Sequence, residues 1–307
     1  MKYLFNICLL AALFFTACKK DLTTDAPTAG INLTNARSTI GDTLVFKLGD
    51  TCRFALDGYA DNIAFWAGTI GNKYEFRDRT MAKGIPTLSF TSTAQFGTQT
   101  NTLQVLATNK LSSRDSATVV NAAWTNITDR TPLATSATAV NTGNVNLADL
   151  VSGVNDSLFI AFRYSGVTGA TQRTWTITNY TVNNVLGDYS FNLSSLVNDN
   201  AYWTRYGNVW TPANARWVPT TTSLTIVGGA ATAPTNTSWI VSKALYVGRV
   251  SPDISTATVK NITASATTAY AYKYLAVGKY KATFVAYNVN PNESKSTLKE
   301  FIIKVIQ

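Results

Sequence analysis

The sequence 278-GKYKATFVA-286 alternates between apolar and polar side chains. In an extended strand, the even-numbered residues 280–286 would line one face, whereas Lys281 and Thr283 would point to the other. Short runs of this kind recur between turn residues, at Thr43–Phe46, Leu103–Ala107, Leu158–Tyr164, Trp175–Val182 and Phe301–Ile306. Sustained helical periodicity is missing from the sequence. We therefore predict an all-β protein built from β-sandwiches.

The two ends of the chain each carry too few strands to close a sandwich alone. Residues 31–80 hold about four candidate strands. The 61-DNIAFW-66 run after Gly49-Asp50 resembles the opening half of a PKD-type immunoglobulin-like domain, and the stretch 278–286 resembles its closing half. The Gly-Asp-Gly turn of that family is replaced by 67-AGTIG-71.

The resemblance implies one split domain, made of residues 31–80 plus 248–307 and interrupted by an insertion at 81–247. Its core is expected to bring together the rings of Phe54, Phe65, Tyr280 and Phe284. The alternative is two separate small β domains, each of which would struggle to bury a core.

The insertion carries a second pattern, 124-WTNIT-128, 143-GNVNL-147, 158-LFIAFRY-164 and 174-TWTITN-179. This order is similar to the jelly-roll modules of Bacteroidota surface lipoproteins, which are relatives of carbohydrate-binding sandwiches. The elements 61-DNIAFWAG-68 and 73-KYEFRDR-79 resemble one uncharacterised lipoprotein family found beside outer-membrane glycan importers. The resemblance implies an immunoglobulin/PKD-like sandwich interrupted by an inserted jelly-roll β-sandwich.

The N-terminus, 1-MKYLFNICLLAALFFTACKKD-21, has the order of a secretory signal peptide. It resembles a bacterial lipoprotein signal, which implies removal of residues 1–17 and lipidation of Cys18. The apolar run is shorter than the roughly 20 residues that span a bilayer. Residues 18–30 then read as a flexible tether. The 19-KKD-21 tag resembles that of surface-exported lipoproteins, so we expect a lipid-anchored outer-membrane protein exposed on the cell surface, with the periplasmic face as the alternative.

Composition excludes several kinds of chemistry. The chain has no histidine, which rules out Ser-His-Asp and Cys-His catalysis and histidine metal sites. Loss of residues 1–17 removes Lys2 and no acid, which lowers the net charge from +9 to +8. The basic residues are scattered, so no nucleic-acid partner is predicted. No calcium-loop motif is present, and neither a metal nor a cofactor is predicted.

Cys52 would be the one cysteine left besides Cys18, and we expect a buried structural thiol.

The densest aromatic cluster, 200-NAYWTRYGNVW-210 followed by Arg216-Trp217, lacks strand alternation. Aromatic rings stack on the C–H faces of sugars, and amides and guanidinium groups bond their hydroxyls. We therefore predict a glycan site at Tyr202, Trp203, Arg205, Tyr206, Trp210, Arg216 and Trp217. The alternative is that these rings cap the core. Trp124 and Trp175 are predicted to pack in the core, and Arg163 to point outward.

The predicted function is a non-catalytic lipoprotein that captures polysaccharide or oligosaccharide for import, in company with an outer-membrane glycan importer. A structural or adhesion protein that binds a protein partner is the alternative. A glycoside hydrolase is the third reading, and it needs two carboxylates about 5–9.5 Å apart. The three glutamates, Glu75, Glu293 and Glu300, show no spacing that marks such a pair.

Overall fold

The structure is a computed structural model that describes residues 22–187 and 189–307. The predicted signal peptide and Cys18 lie outside the described residues. Almost all regular structure is β, which confirms the all-β class. In chain order the strands are β1 (Gly30–Leu33), β2 (Ser38–Ile40), β3 (Thr43–Lys47), β4 (Cys52–Asp57), β5 (Asn62–Trp66), β6 (Ile85–Gln95), β7 (Leu103–Thr108), β8 (Thr125–Asn126), β9 (Val140–Asn141), β10 (Val145–Asn146), β11 (Ser157–Gly166), β12 (Thr174–Leu186), β13 (Tyr189–Ser195), β14 (Thr204–Gly207), β15 (Val218–Pro219), β16 (Ser223–Ile226), β17 (Asn236–Val241), β18 (Leu245–Tyr246), β19 (Ala257–Lys260), β20 (Ala269–Tyr272), β21 (Gly278–Val289) and β22 (Ser294–Ile306).

The helices of the described chain are short. They are α1 (Ser116–Asn121), α2 (Leu196–Asp199) and the 3-10 turns at Tyr74–Phe76, Thr128–Arg130, Ala148–Leu150, Asn200–Tyr202 and Ala213–Ala215. Within residues 22–187 and 189–307, no helix has both the length and the apolar character needed to cross a bilayer.

The described chain divides into two compact units. Unit 1 consists of residues 22–78 and 253–307, and unit 2 consists of residues 79–252. These boundaries lie a few residues from those that the sequence suggested. Within unit 1, the backbone N–H of Asp253 donates to the carbonyl of Phe76 at 3.1 Å, so the two chain segments of unit 1 lie side by side where unit 2 departs.

Unit 1 contains one sheet of three strands, β1-β4-β20, and one of six, β19-β5-β21-β22-β3-β2. Strands from both ends of the chain pair with each other: β21 runs antiparallel to β5 and places Phe284 opposite Phe65. The rings of Phe54 and Phe284 are 4.8 Å apart, and those of Phe65 and Phe284 are 4.7 Å apart. Tyr280 lies at the edge of this core, stacked on Tyr274 at 4.2 Å.

The predicted tether is not a free linker over its described part. Pro27 is buried, and the Lys295 ammonium group and the Asn288 and Asn290 side chains donate to backbone carbonyls of residues 22–25. Hydrogen bonds to the hairpin of β21 and β22 therefore hold this segment before β1 begins. Cys52 is buried as expected, and this burial raises the pKa of its thiol to about 12.

Unit 2 packs a seven-stranded sheet against a six-stranded one. In the first, β10-β6-β12-β16-β15 are consecutive, with β13 beside β12 and β9 beside β6; in the second, β14-β17-β11-β7-β8 are consecutive, with β18 beside β11. The central strand β11 is apolar on both faces. Leu158, Ile160 and Phe162 enter the main core, whereas Phe159 and Ala161 belong to a second cluster on the outer face. That second cluster forms the base of a groove on the outer face of the six-stranded sheet.

Candidate functional site

A row of four side chains crosses the outer face of the six-stranded sheet of unit 2. Tyr206 on β14 pairs with Trp239 on β17, and Trp239 pairs in turn with Arg163 on β11. Arg163 pairs with Gln104 on β7. Adjacent strands are ~4.8 Å apart, so three steps give a row about 14 Å long. Strand alternation places all four side chains on the face opposite the main core.

These four residues line a groove of about 600 Å³. Trp239 is 7% exposed and belongs, with Phe159, to the apolar cluster beneath. Trp124, which is half-buried, also lines the groove, and its ring centre is 6.0 Å from that of Trp239. The Trp124 Nε1–H donates to the carbonyl of Val119 in α1 at 2.7 Å, which fixes the orientation of the indole.

Helix α1 lines part of the groove through Ser116 and Val120. Asp115 caps this helix, because its carboxylate accepts hydrogen bonds from the backbone N–H and the hydroxyl of Thr118 at 2.9 and 2.7 Å. These bonds lower the pKa of Asp115 to about 2. The cap thus stays ionised at neutral pH and holds the helix that carries Val120.

Two asparagines that line the groove are held in place by their own hydrogen bonds. The Asn208 amide donates to the carbonyl of Thr235 and accepts from the N–H of Thr237, at 2.9 and 2.7 Å. The Asn126 carbonyl oxygen accepts from the hydroxyl of Thr128 at 2.6 Å. The amides therefore present their remaining donors and acceptors from fixed positions.

Arg163 has no carboxylate partner within the described chain. Its guanidinium carbon lies 5.3 Å from the centre of the Trp239 ring, and its Nη1 donates to Oε1 of Gln104 at 3.3 Å. Its Nε is buried and makes no hydrogen bond to the described residues. At the far end of the row, burial raises the pKa of Tyr206, so its phenol is neutral and can donate a hydrogen bond.

Two of the seven predicted site residues are in the core, and their assignment to a ligand site is wrong. Trp217 is fully buried, and its Nε1–H donates to the carbonyl of Ser238 at 3.3 Å. Trp203 is 8% exposed and lies 5.1 Å from the ring of Tyr180. Both indoles fill space between the two sheets of unit 2, so a ligand cannot stack on them.

Four others are outside the groove. Tyr202 and Trp210 are 56% and 53% exposed, but neither lines it. The Arg216 guanidinium lies 5.0 Å from the centre of the Trp210 ring, and Arg205 donates to the carbonyl of Trp217 at 3.0 Å. Tyr206 is thus the one member of the predicted set that lines the groove.

Sequence reasoning missed most of the groove. Trp175 is in the core as predicted, whereas Trp124 is half-buried: it packs against the second cluster and also lines the groove. Arg163 does lie on the outer face, as expected. Trp239 is not among the predicted residues, although 236-NTSWIV-241 alternates and places Thr237, Trp239 and Val241 on one face. A tryptophan on the outer face of an alternating strand is the signal in the sequence that could have identified this groove residue.

Fold and groove together define an all-β protein whose sheets form sandwich-like arrangements. The chain belongs to the family described as a domain of unknown function (DUF5017), whose model matches residues 17–202. This match confirms that the chain belongs to a family without a settled activity. The match includes Gln104, Trp124 and Arg163 and ends before Tyr206. Neither a curated protein nor a solved structure is significantly similar to the chain.

Proposed function

We propose that the protein is a non-catalytic lipoprotein that binds a glycan in the groove on the outer face of the six-stranded sheet. One observation carries the proposal: the cross-strand row of Tyr206, Trp239, Arg163 and Gln104, with Trp124 beside it. A groove of about 600 Å³ is within the range of small-molecule sites. The row's length of about 14 Å suits an elongated ligand.

The side chains of the groove match the two kinds of surface on a sugar. Trp124 and Tyr206 are half-buried, so their rings keep accessible area for the apolar C–H face of a sugar ring. Amide side chains of Gln104 and Asn126 supply both donors and acceptors for hydroxyl groups. No aspartate or glutamate is among the described residues that line the groove, which favours binding over hydrolysis by a carboxylate pair.

The arrangement of sheets in the two units also supports the resemblances. In our proposal, unit 1 is a PKD-like immunoglobulin sandwich assembled from both ends of the chain, and unit 2 is a jelly-roll module inserted into it. The lipoprotein-like N-terminus would anchor the protein in the outer membrane on the cell surface. There it would hold a glycan and pass it to a neighbouring importer. Weak binding suits this task, because a captured ligand must be released again.

The groove is tested by a glycan array on a soluble form that lacks residues 1–18, followed by titration of the best ligand. Tyr206→Ala and Trp124→Ala should each weaken binding about tenfold, because each removes one stacking ring, a loss of about 1 kcal/mol or somewhat more. Trp210→Ala is the matched control: its ring is exposed but outside the groove, so affinity should stay unchanged.

The opposite pattern would refute the groove as the glycan-binding site. If Trp210→Ala abolishes binding and the two groove variants bind normally, the exposed segment around Trp210 is the site. If no glycan on the array binds the soluble protein at any concentration, the glycan proposal fails. Circular dichroism of each variant shows whether the fold is retained.

The anchor is tested at Cys18, the attachment point that the lipoprotein resemblance implies. Cys18→Ala should release the protein into the soluble fraction of cells or leave an unprocessed precursor, because the acyl chains supply the membrane affinity. Fractionation and mass spectrometry of the mature N-terminus give the readout, with Cys52→Ala as the matched cysteine control. A Cys18→Ala protein that is processed normally and remains in the membrane would contradict lipidation.

A further inference from the structure

We propose that the ligand of the groove is an acidic glycan, whose carboxylate or sulfate group pairs with Arg163. This inference rests on the proposed function and adds the chemical class of the ligand. The first reason is that a half-buried guanidinium in the floor of a groove lacks an anionic partner. Arg163 forms no ion pair with the described residues. Arg53, Arg205 and Arg216 form none either, but of these four arginines Arg163 alone lines the groove.

The second reason is the geometry of the guanidinium group. The neutral Gln104 is its one hydrogen-bond partner in the described chain, at a long 3.3 Å, and the Trp239 ring lies beside the group. Nη2 of Arg163 makes no hydrogen bond to the described residues, and the side chain as a whole is half-buried. A guanidinium presents paired donors that fit a carboxylate or sulfate, and such charge-assisted bonds are about twice as strong as neutral ones.

The third reason is the balance of charges around the groove. Arg163 is the one charged side chain among the described residues that line it. Burial is the main cause of the raised pKa of Tyr206, and the charges of Arg114 and Asp115 act on this pKa in opposite directions. The Asp115 carboxylate is already occupied by its bonds to Thr118 in the helix cap. The charge of Arg163 is therefore left for a ligand to neutralise.

The test compares acidic glycans with versions that have lost their charge. The probes are polygalacturonate and alginate with their carboxyl-reduced forms, and chondroitin sulfate and heparin with their desulfated forms. At least one acidic probe should bind the soluble protein about tenfold or more tightly than its uncharged counterpart. Loss of binding on carboxyl reduction identifies a carboxylate as the recognised group, and loss of binding on desulfation identifies a sulfate.

The variant is Arg163→Gln, and Arg216→Gln is its matched control. Arg216 also lies against a tryptophan ring, at 5.0 Å from Trp210, but outside the groove. Arg163→Gln should lose the preference for the acidic probe, so that the acidic probe and its uncharged counterpart bind this variant with about equal affinity. Arg163→Lys should recover part of the preference, since it keeps the charge without the paired donors. Arg216→Gln should bind like the unchanged protein.

The possible outcomes distinguish a failure of the acidic ligand class from a failure of the proposed glycan-binding function. If the groove binds a neutral glycan through Trp124 and Tyr206, with equal affinity for charged and uncharged probes, the glycan function stands and the acidic class is wrong. If acidic probes bind but Arg163→Gln and Arg216→Gln weaken them equally, the general basic charge of the protein is responsible, and the inference is overturned. If none of the probes binds and the array is also empty, both proposals fail together.

Discussion

Trp217→Ala is expected to lower the free energy of unfolding of unit 2 by about 3–5 kcal/mol, the usual cost of removing a fully buried large aromatic side chain. The indole of Trp217 is completely shielded from solvent and lies 6.1 Å from the ring of Phe162. Its loss creates a cavity between the sheets and leaves the carbonyl of Ser238 without its indole donor. Urea unfolding, followed by circular dichroism, measures the effect.

Trp210→Ala provides the comparison, because it removes the same side chain from an exposed position about seven residues earlier in the chain. We expect a change within about 0.5 kcal/mol. Equal stability of the two variants would contradict a structural role for Trp217. This pair of variants decides directly between the two interpretations of the aromatic cluster, as a ligand platform or as core.

The second large effect concerns unit 1. A chain that ends at residue 252 loses β19 to β22, and with them every strand that the six-stranded sheet places between β5 and β3. Residues 22–78 should then remain unfolded, because the remaining pairs, β1 with β4 and β2 with β3, cannot bury Phe54 and Phe65. Residues 79–252 should fold normally. Limited proteolysis should cut the first segment and spare the second.

A joined chain is the control for this experiment. Since the backbones of Phe76 and Asp253 are hydrogen-bonded, a short Gly-Ser linker can connect residues 22–78 to 253–307 without unit 2. The joined chain should fold and show dispersed NMR signals. Protease resistance of residues 22–78 in the chain ending at 252 would contradict the prediction. So would a joined chain that stays unfolded, because unit 1 would then depend on the insertion.

Several features of the fold could be predicted from short segments. The alternation in 278–286 indicates a half-buried strand, and Ala282, Phe284 and Ala286 are buried in β21 while Lys281 is exposed. Thr283, on the same face as Lys281, is buried as well. The run Leu158–Tyr164 is a strand as expected, and its apolar residues on both faces reflect clusters on both sides of the sheet. Alternation is a local property, so it is visible before any partner strand is known.

The candidate site was much harder to predict. A high density of rings marks the cluster from residue 200 to 217 in the sequence, but density does not tell which ring points inward. The chain re-enters a strand at β14, whose register puts Tyr206 opposite Trp239 on the outer face. Trp203, directly before β14, and Trp217, directly before β15, turn into the core instead. Burial of these rings depends on packing with distant residues, for which the local sequence has no marker.

The sequence by itself determined the β character of this protein, the alternation of its strands and the residue types available for binding. Only the tertiary structure decided which of these residues meet. Gln104, Arg163, Tyr206 and Trp239 come from strands spread over more than 130 residues, and their row depends on the register of three antiparallel pairings. A shift of one residue in any of them would turn a side chain of the row to the other face. Register is set by hydrogen bonds and core packing across the whole sheet, which is why the groove appears only in the folded chain.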